Sequence, residues 1–283
     1  MNSINTFGSL TNTAGSNKFM GACKINDNLY VVLPCDYNSI LNVDPINKTV
    51  ESYGSIGTIA NKFKSYYKIN DNLICCVPYS SPNVYNVDPI NKTVESYGSL
   101  TGSNLYVNSL LLSSGKILAV PNNATNIILI DPINKTIDTF GNLGSTNFKY
   151  LANIIELNNG HVIAFPSMAN YLIDIDPINK SIENIYDFGN STYKFNDGVN
   201  TASTDNILVG ISNNQIIGLP FNYPQVIDYD PINKKVFKIG YYSTISADSA
   251  KFTNRSPLIY YGDKKLIQIN SSGSNYILDI ELR

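Results

Sequence analysis

One stretch of this chain is copied within it. Asn-Val-Asp-Pro-Ile-Asn-Lys-Thr-Val-Glu-Ser-Tyr-Gly-Ser runs from Asn42 to Ser55 and again, unchanged, from Asn86 to Ser99. Edited copies begin at Asp131, Asp176 and Asp230, so the Asp-Pro pair recurs at intervals of 44, 43, 45 and 54 residues. Self-similarity at such a period marks a repeat architecture. The C-terminal Tyr276–Arg283 aligns with the residues around the earlier Asp-Pro pairs if Glu281 takes the Asp place, 51 residues after Asp230. The N-terminal Asn2–Leu10 aligns with Lys92–Leu100. Running from Glu281 to the C-terminus and on from Met1 to Asp44 gives a last interval of 46, so six intervals use all 283 residues and the sixth is split between the termini.

Within one repeat, four β-rich runs (Asn17–Ile25, Leu29–Pro34, Ser39–Pro45 and Thr49–Gly54) are separated by short Asn- and Asp-rich turns. Strands at this spacing with polar turn signals read as antiparallel β-sheet, and no helical period is present. Four strands per unit, six units and a split unit predict an all-β, six-bladed β-propeller of four-stranded antiparallel blades. The repeats fall at about 11–55, 56–99, 100–141, 142–188, 189–240 and 241–283 plus 1–10, within a single domain 1–283. The split also has a physical reason. If Ser3–Phe7 pairs beside Tyr276–Leu282, the N-terminal strand joins the C-terminal blade and no unpaired edge remains.

The segment "LYVVLPCDYNSILNVDPINKTVESYGSIG" resembles the YVTN-type, kelch-like β-propeller repeat, with Tyr30, Val31, Val43, Asp44, Asn47, Lys48, Val50 and Gly54 in corresponding places. Six repeats here replace the seven usual in that family, and a proline (Pro34, Pro78, Pro121, Pro166, Pro220) closes each second run. The double Gly and Trp of kelch repeats are missing. The resemblance implies surface, adhesion or assembly roles rather than catalysis, and it transfers no catalytic residue.

Lys and Arg number 20 against 22 Asp and Glu, giving a net charge of −2, which argues against nucleic acid as a partner. No apolar run is long enough for membrane insertion, and the start carries no secretory leader, so the expected location is cytoplasmic or virion-associated. An Asn-, Ile-, Lys- and Tyr-rich vocabulary without Trp adds the expectation of a component of a phage or large-virus particle. Cys23, Cys35, Cys75 and Cys76 lack metal or disulfide spacing and are expected to be reduced, buried thiols. With His161 the sole histidine, no metal and no cofactor are expected, and His161 itself reads as a hairpin residue rather than a general base.

The Asp-Pro-Ile-Asn turn is explained by scaffold chemistry. Pro sets φ for a type I turn, while Asp and Asn bond neighbouring amides. A ring formed by the lysines that follow is the weaker, anion-binding reading. The loops after the second strands differ from repeat to repeat, and variable loops on a uniform frame are where recognition concentrates. Their Tyr37, Asn38, Tyr79, Asn83, Asn122, Asn126, Met168, Asn170, Phe221 and Tyr223 form the candidate partner surface. A second candidate set is Lys18, Lys62, Lys194 and Lys251, each before a Phe and each a candidate anion ligand at the channel mouth; the alternative has the Phe packed and the Lys turned outward. The fifth repeat carries an extra segment around Asp197–Ser203, expected to break the repeat symmetry for a partner. The chain therefore reads as a non-enzymatic binding or assembly module for a protein partner. The alternatives are a glycan-binding lectin and a propeller hydrolase or lyase with a channel-mouth site.

Overall fold

The computed structural model describes residues 6–10, 17–190, 193–195, 208–212, 215–218, 223, 225–239, 258–261, 265–269 and 277–281. Among them there is no helix. The first sheet is β1 (Phe19–Asn26), β2 (Leu29–Pro34), β3 (Ile40–Asp44) and β4 (Thr49–Tyr53), paired in chain order. The second repeats it as β5 (Phe63–Asn70), β6 (Leu73–Pro78), β7 (Val84–Asp88) and β8 (Thr93–Tyr97). β9 (Tyr106–Leu111), β10 (Ile117–Pro121), β11 (Asn126–Asp131) and β12 (Thr136–Asn142) form the third. The fourth is β13 (Ile154–Glu156), β14 (Val162–Ala164), β15 (Tyr171–Asp176) and β16 (Ser181–Asp187). The fifth is β17 (Leu208–Ser212), β18 (Gln215–Gly218), β19 (Val226–Asp230) and β20 (Lys235–Ile239). The sixth has three described strands, β21 (Leu258–Tyr261), β22 (Lys265–Ile269) and β23 (Ile277–Glu281). The expected all-β chain of four-stranded antiparallel sheets is thus present. Of the strand expected to complete the sixth sheet, Ser3–Asn5 lie outside the described residues, and Thr6 and Phe7 are in no strand.

The chain forms two compact units, residues 1–119 with 123–139 and residues 120–122 with 140–283. In the first, the "LICCVP" run of β6 is buried from Ile74 to Pro78 because both faces of the sheet are covered. Ile74 and Cys76 pack toward the first sheet with Val31, Leu33, Ile40 and Phe63. Cys75 and Val77 point the other way, onto Tyr106, Ile117, Ala119 and Ile128 of the third. Period-two alternation therefore reads as continuous apolar sequence when both faces are cores. It also separates Cys75 from Cys76, and all four cysteines are buried and free, as expected. In the second unit Ala152, Ile163, Phe165 and Leu172 meet Ile216, Ile227 and Tyr229 in the same manner.

The copied turn is closed by its own side chains. Asp44 Oδ1 accepts the N–H of Ile46 and of Asn47, both at 2.9 Å, and Asn47 Nδ2 donates to Asp44 Oδ2 at 2.7 Å. The same three bonds recur at Asp88, Asp131, Asp176 and Asp230. The lysine that ends each loop takes left-handed φ values of 51–56° at Lys48, Lys92, Lys135, Lys180 and Lys234. Asn42 Nδ2 then donates to Pro89 O at 2.8 Å, and Asn86 Nδ2 to Pro132 O at 2.7 Å, fastening each sheet to the next turn.

These amide bonds hold the turn carboxyls below the usual aspartate range. At Asp44, Asp131 and Asp176 the backbone N–H of the turn Asn is the main cause, and at Asp230 it is the Asn233 side chain. At Asp88 burial pushes upward, but the Asn91 bonds outweigh it. A carboxyl with a depressed folded pKa stabilises the fold above its unfolded pKa of about 3.9, and that contribution is lost as pH falls through the folded value. The stability deficit of Asp131→Asn is therefore expected to be present at neutral pH and to shrink steadily below about pH 4. Parallel denaturant titrations of wild type and variant read this directly.

Candidate functional site

Two kinds of position link neighbouring sheets. The first is a relay of backbone hydrogen bonds through residues on the segments that lead into the innermost strands. Lys18 O accepts Cys35 N–H at 2.9 Å, Cys35 O accepts Lys62 N–H at 3.2 Å, and Lys62 O accepts Tyr79 N–H at 2.7 Å. In the second unit Asn122 O accepts Lys149 N–H, Lys149 O accepts Ser167 N–H, and Ser167 O accepts Lys194 N–H, at 2.7–3.1 Å. The second is the glycine that closes each outer strand. A Cβ on Gly54 would stand 2.5 Å from Val94 Cγ2, and one on Gly8 would stand 2.6 Å from Val50 Cγ2. Gly8 thus lies against the first sheet as Gly54 lies against the second.

The Lys-Phe pairs belong to this relay. Phe63 and Phe195 are fully buried, and so are the lysines beside them: Lys62 is 1% and Lys194 0% exposed. Lys62 Nζ donates to the carbonyls of Cys35, Asp36 and Tyr37 at 3.4, 3.2 and 3.1 Å. Lys194 Nζ donates to Ala169 O at 2.9 Å. Burial pulls both ammonium groups below the ordinary lysine range, and Lys149, at the same position, likewise. The Lys62 and Lys194 ammonium groups turn inward onto neutral oxygens, whereas Lys18 is half-buried. Lys251 and Phe221 lie outside the described residues, as does the Asp197–Ser203 insertion.

The loop residues divide. Tyr37 (3% exposed, its ring centroid 5.2 Å from that of Phe19 and tilted to it) and Asn122 (1%) are interior. Asn38, Tyr79, Asn83 and Asn126 are half-buried, Tyr79 and Asn83 in the β6–β7 loop and Asn126 at the start of β11, with Lys64 Nζ 5.1 Å over the Tyr79 ring. Tyr223 packs edge-on to Phe188 at 5.0 Å. Met168 and Asn170 come together in one place. They line a groove of about 590 Å³ between the segment after β12 (Gly141, Asn142, Gly144, Thr146) and the β14–β15 loop, with Tyr171, Asn184 and the buried Lys149 completing it. Tyr171 is exposed, and Asn170 Nδ2 is braced by Asn190 Oδ1 at 2.9 Å. Besides the Lys149 ammonium, the lining offers amides, hydroxyls and the rings of Tyr150 and Tyr171, and no carboxylate. Asn142, Thr146 and Tyr171 escape a reading of the sequence because they flank strand ends on different sheets.

His161 begins the strand side of a hairpin, as expected, and its Nδ1 sits 2.7 Å from Asp174 Oδ1. Gln215 stands at the same place in the fifth sheet and donates to Asp228 at 3.3 Å, while Lys116 in the third faces Asp131 at 3.7 Å. A position filled by His, Gln or Lys binds a carboxylate and supplies no fixed acid–base chemistry. His161→Gln is accordingly expected to leave the denaturation midpoint within about 0.5 kcal/mol of wild type. The turn lysines are also engaged: Lys92 pairs with Glu51 of the preceding sheet at 2.6 Å, and Lys135 with Glu95 and Lys234 with Glu183 in the same way. Among the described residues no group of three or more His, Cys, Asp or Glu could hold a metal ion.

No protein-family model matches the chain, and no curated protein matches it. Solved structures do, and they are β-propeller-like. Virginiamycin B lyase from Staphylococcus aureus superposes with a TM-score of 0.53 over 94% of this chain and 85% of its own, at 9% identity. A catalytically inactive form of that lyase with quinupristin gives 0.54 over 96% and 86%, at 11% identity. The extracellular domain of a one component system from Bacteroides thetaiotaomicron gives 0.52 over 94% of this chain and 35% of its own, at 11% identity. At these identities the likeness is one of fold.

Proposed function

We propose that this chain is a non-catalytic, six-bladed propeller that binds a partner protein through its loop face, with the 141–146 and 168–171 groove as the principal contact. The six sequence intervals support the blade count. The approach of Gly8 to Val50 supports an N-terminal segment that completes the sixth blade. The observation that carries the functional reading is the contrast between the two ends of each sheet. The Asp-Pro-Ile-Asn-Lys turns recur almost unchanged and spend their polar groups on one another. The second-strand loops differ in every repeat, and one of them, the β14–β15 loop, borders a groove.

The groove lining favours one further reading, a neutral glycan. Asn142, Asn170 and Asn184 present amides around the Tyr171 ring, the combination that hydrogen-bonds hydroxyls and stacks on a sugar face. Asn170→Ala combined with Tyr171→Ala is expected to weaken partner binding at least about tenfold and to leave the denaturation midpoint unchanged. Immobilised wild type and double variant, each challenged with native cell extract and with a glycan panel, give the comparison. Capture of the same protein by both forms overturns the groove assignment. Retention of a glycan by the wild type alone selects the lectin reading.

A further inference from the structure

Four repeat-equivalent residues, each directly before a relay residue, hold a left-handed backbone. They are Asn61, Asn104, Phe148 and Tyr193, with φ of 52°, 54°, 56° and 50°. Asparagine tolerates that conformation. In the first unit it also bonds the loop beside it: Asn61 Oδ1 accepts Cys35 Sγ–H, and Asn104 Oδ1 accepts Ser80 Oγ–H, both at 3.5 Å. A bulky aromatic residue is a poor choice there, yet the second unit has one at both places. Its core does not account for the choice. Phe148 and Tyr193 are only half-buried, and neither belongs to the buried cluster that Phe165, Phe188 and Phe195 build with Tyr223 packed against it. Their rings meet each other instead, with centroids 6.2 Å apart and planes tilted by 44°. Strain kept at two matching positions, for two rings that the core does not use, marks a binding feature.

The pair adjoins the groove. Phe148 O accepts Met168 N–H at 3.0 Å. Lys194, next to Tyr193, donates its N–H to Ser167 O at 3.1 Å and its Nζ to Ala169 O at 2.9 Å. The loop that carries Met168, Ala169 and Asn170 into the groove wall is therefore pinned by the same two segments that hold the rings. We propose that Phe148 and Tyr193 are a stacking platform that extends the groove, and that the combined site takes a neutral oligosaccharide of several pyranose rings. The assignment rests on the glycan reading of the groove. Chemistry selects the ligand. A pyranose offers an apolar C–H face to an aromatic ring and hydroxyls to amides, and this loop has rings on its flanks and amides in its groove wall. Asn170, braced by Asn190, is one such amide, already fixed in place. The groove lining has no carboxylate, and its one ammonium, on Lys149, is 0% exposed, so it gives a charged ligand no accessible counter-charge.

The test is calorimetric titration of the full chain with neutral hexose oligosaccharides of increasing length and several linkages. Wild type is expected to bind a longer member at least about tenfold more tightly than the monosaccharide. Phe148→Asn combined with Tyr193→Asn places the first unit's residue at both positions. That variant is expected to raise the denaturation midpoint and to weaken oligosaccharide binding at least about tenfold. Phe148→Tyr combined with Tyr193→Phe keeps both rings and is expected to keep the affinity. An Asn variant that is less stable than wild type, or that does not fold, makes the rings packing elements and overturns the platform. One that binds as well as wild type overturns it too; loss of the same binding in Asn170→Ala with Tyr171→Ala then leaves the groove reading standing. Equal affinity for monosaccharide and oligosaccharide contradicts the extended site. A wild type that binds no neutral oligosaccharide, whatever protein it captures, removes the glycan reading and the platform with it.

Discussion

Lys62→Met is expected to lower the stability of the folded chain by about 2–4 kcal/mol, the largest effect of any single truncation outside the apolar core. Methionine keeps the length and apolar body of lysine, so packing against Phe63 is largely retained. The loss is of donors. Lys62 Nζ lies 3.1–3.4 Å from three carbonyl oxygens that face it from the loop after β2. With the side chain 1% exposed, water reaches those oxygens poorly. A buried carbonyl left without a donor costs about 1–3 kcal/mol, with partial relief from relaxation of the loop. Leu105 occupies the same relay position before β9, where its N–H donates to Tyr79 O at 2.7 Å. The backbone relay therefore does not need the ammonium; the Cys35–Tyr37 loop does. Urea denaturation measures the difference as a lowered midpoint at constant slope. Lys64→Met, a half-buried neighbour on the same strand, is the control and should shift by no more than about 0.5 kcal/mol.

Gly54→Ala is expected to cost about 2–4 kcal/mol, from two causes that a second glycine separates. Gly54 has φ of 63°, and Gly57 has φ of 74°, so alanine at either pays the left-handed penalty of about 1–2 kcal/mol. At Gly57 nothing stands within 4 Å of an added Cβ, whereas at Gly54 the Cβ would meet Val94 at 2.5 Å. The excess of Gly54→Ala over Gly57→Ala thus measures how tightly the first outer strand seats on the second sheet. Gly98 against Ile137 and Gly141 against Ile182 make the same approach, so their alanine variants should rank with Gly54. Equal losses at Gly54 and Gly57 would remove inter-sheet packing from the account.

Much of the fold could be read from the chain because the information is local and repeated. "LYVVLP" is β2 from its first residue to its last, and Asp-Pro-Ile-Asn specifies its turn by side-chain chemistry that needs no tertiary context. The lysines show where such reading ends. Nothing around Lys62 indicates that a loop 25 residues earlier turns three carbonyls toward it, so an outward-facing lysine was the natural expectation. The left-handed conformation at Lys48 and its counterparts is equally invisible, since Asn or Gly would suit that backbone better. The groove was half legible. Met168 and Asn170 fall in a loop whose variability marks it, but Asn142 and Tyr171 become neighbours only when one sheet's outer strand ends beside the next sheet's loop.

The central claim is that the copied segment is scaffold, and that its last copy is completed by the N-terminus. A crystal structure resolving both ends of the chain tests it most directly. The account predicts Ser3–Phe7 hydrogen-bonded as the fourth, outermost strand of the sixth sheet, antiparallel to β23, with Gly8 against Val50. A sixth sheet with a bare outer edge, and residues 3–7 paired elsewhere or not at all, would contradict it.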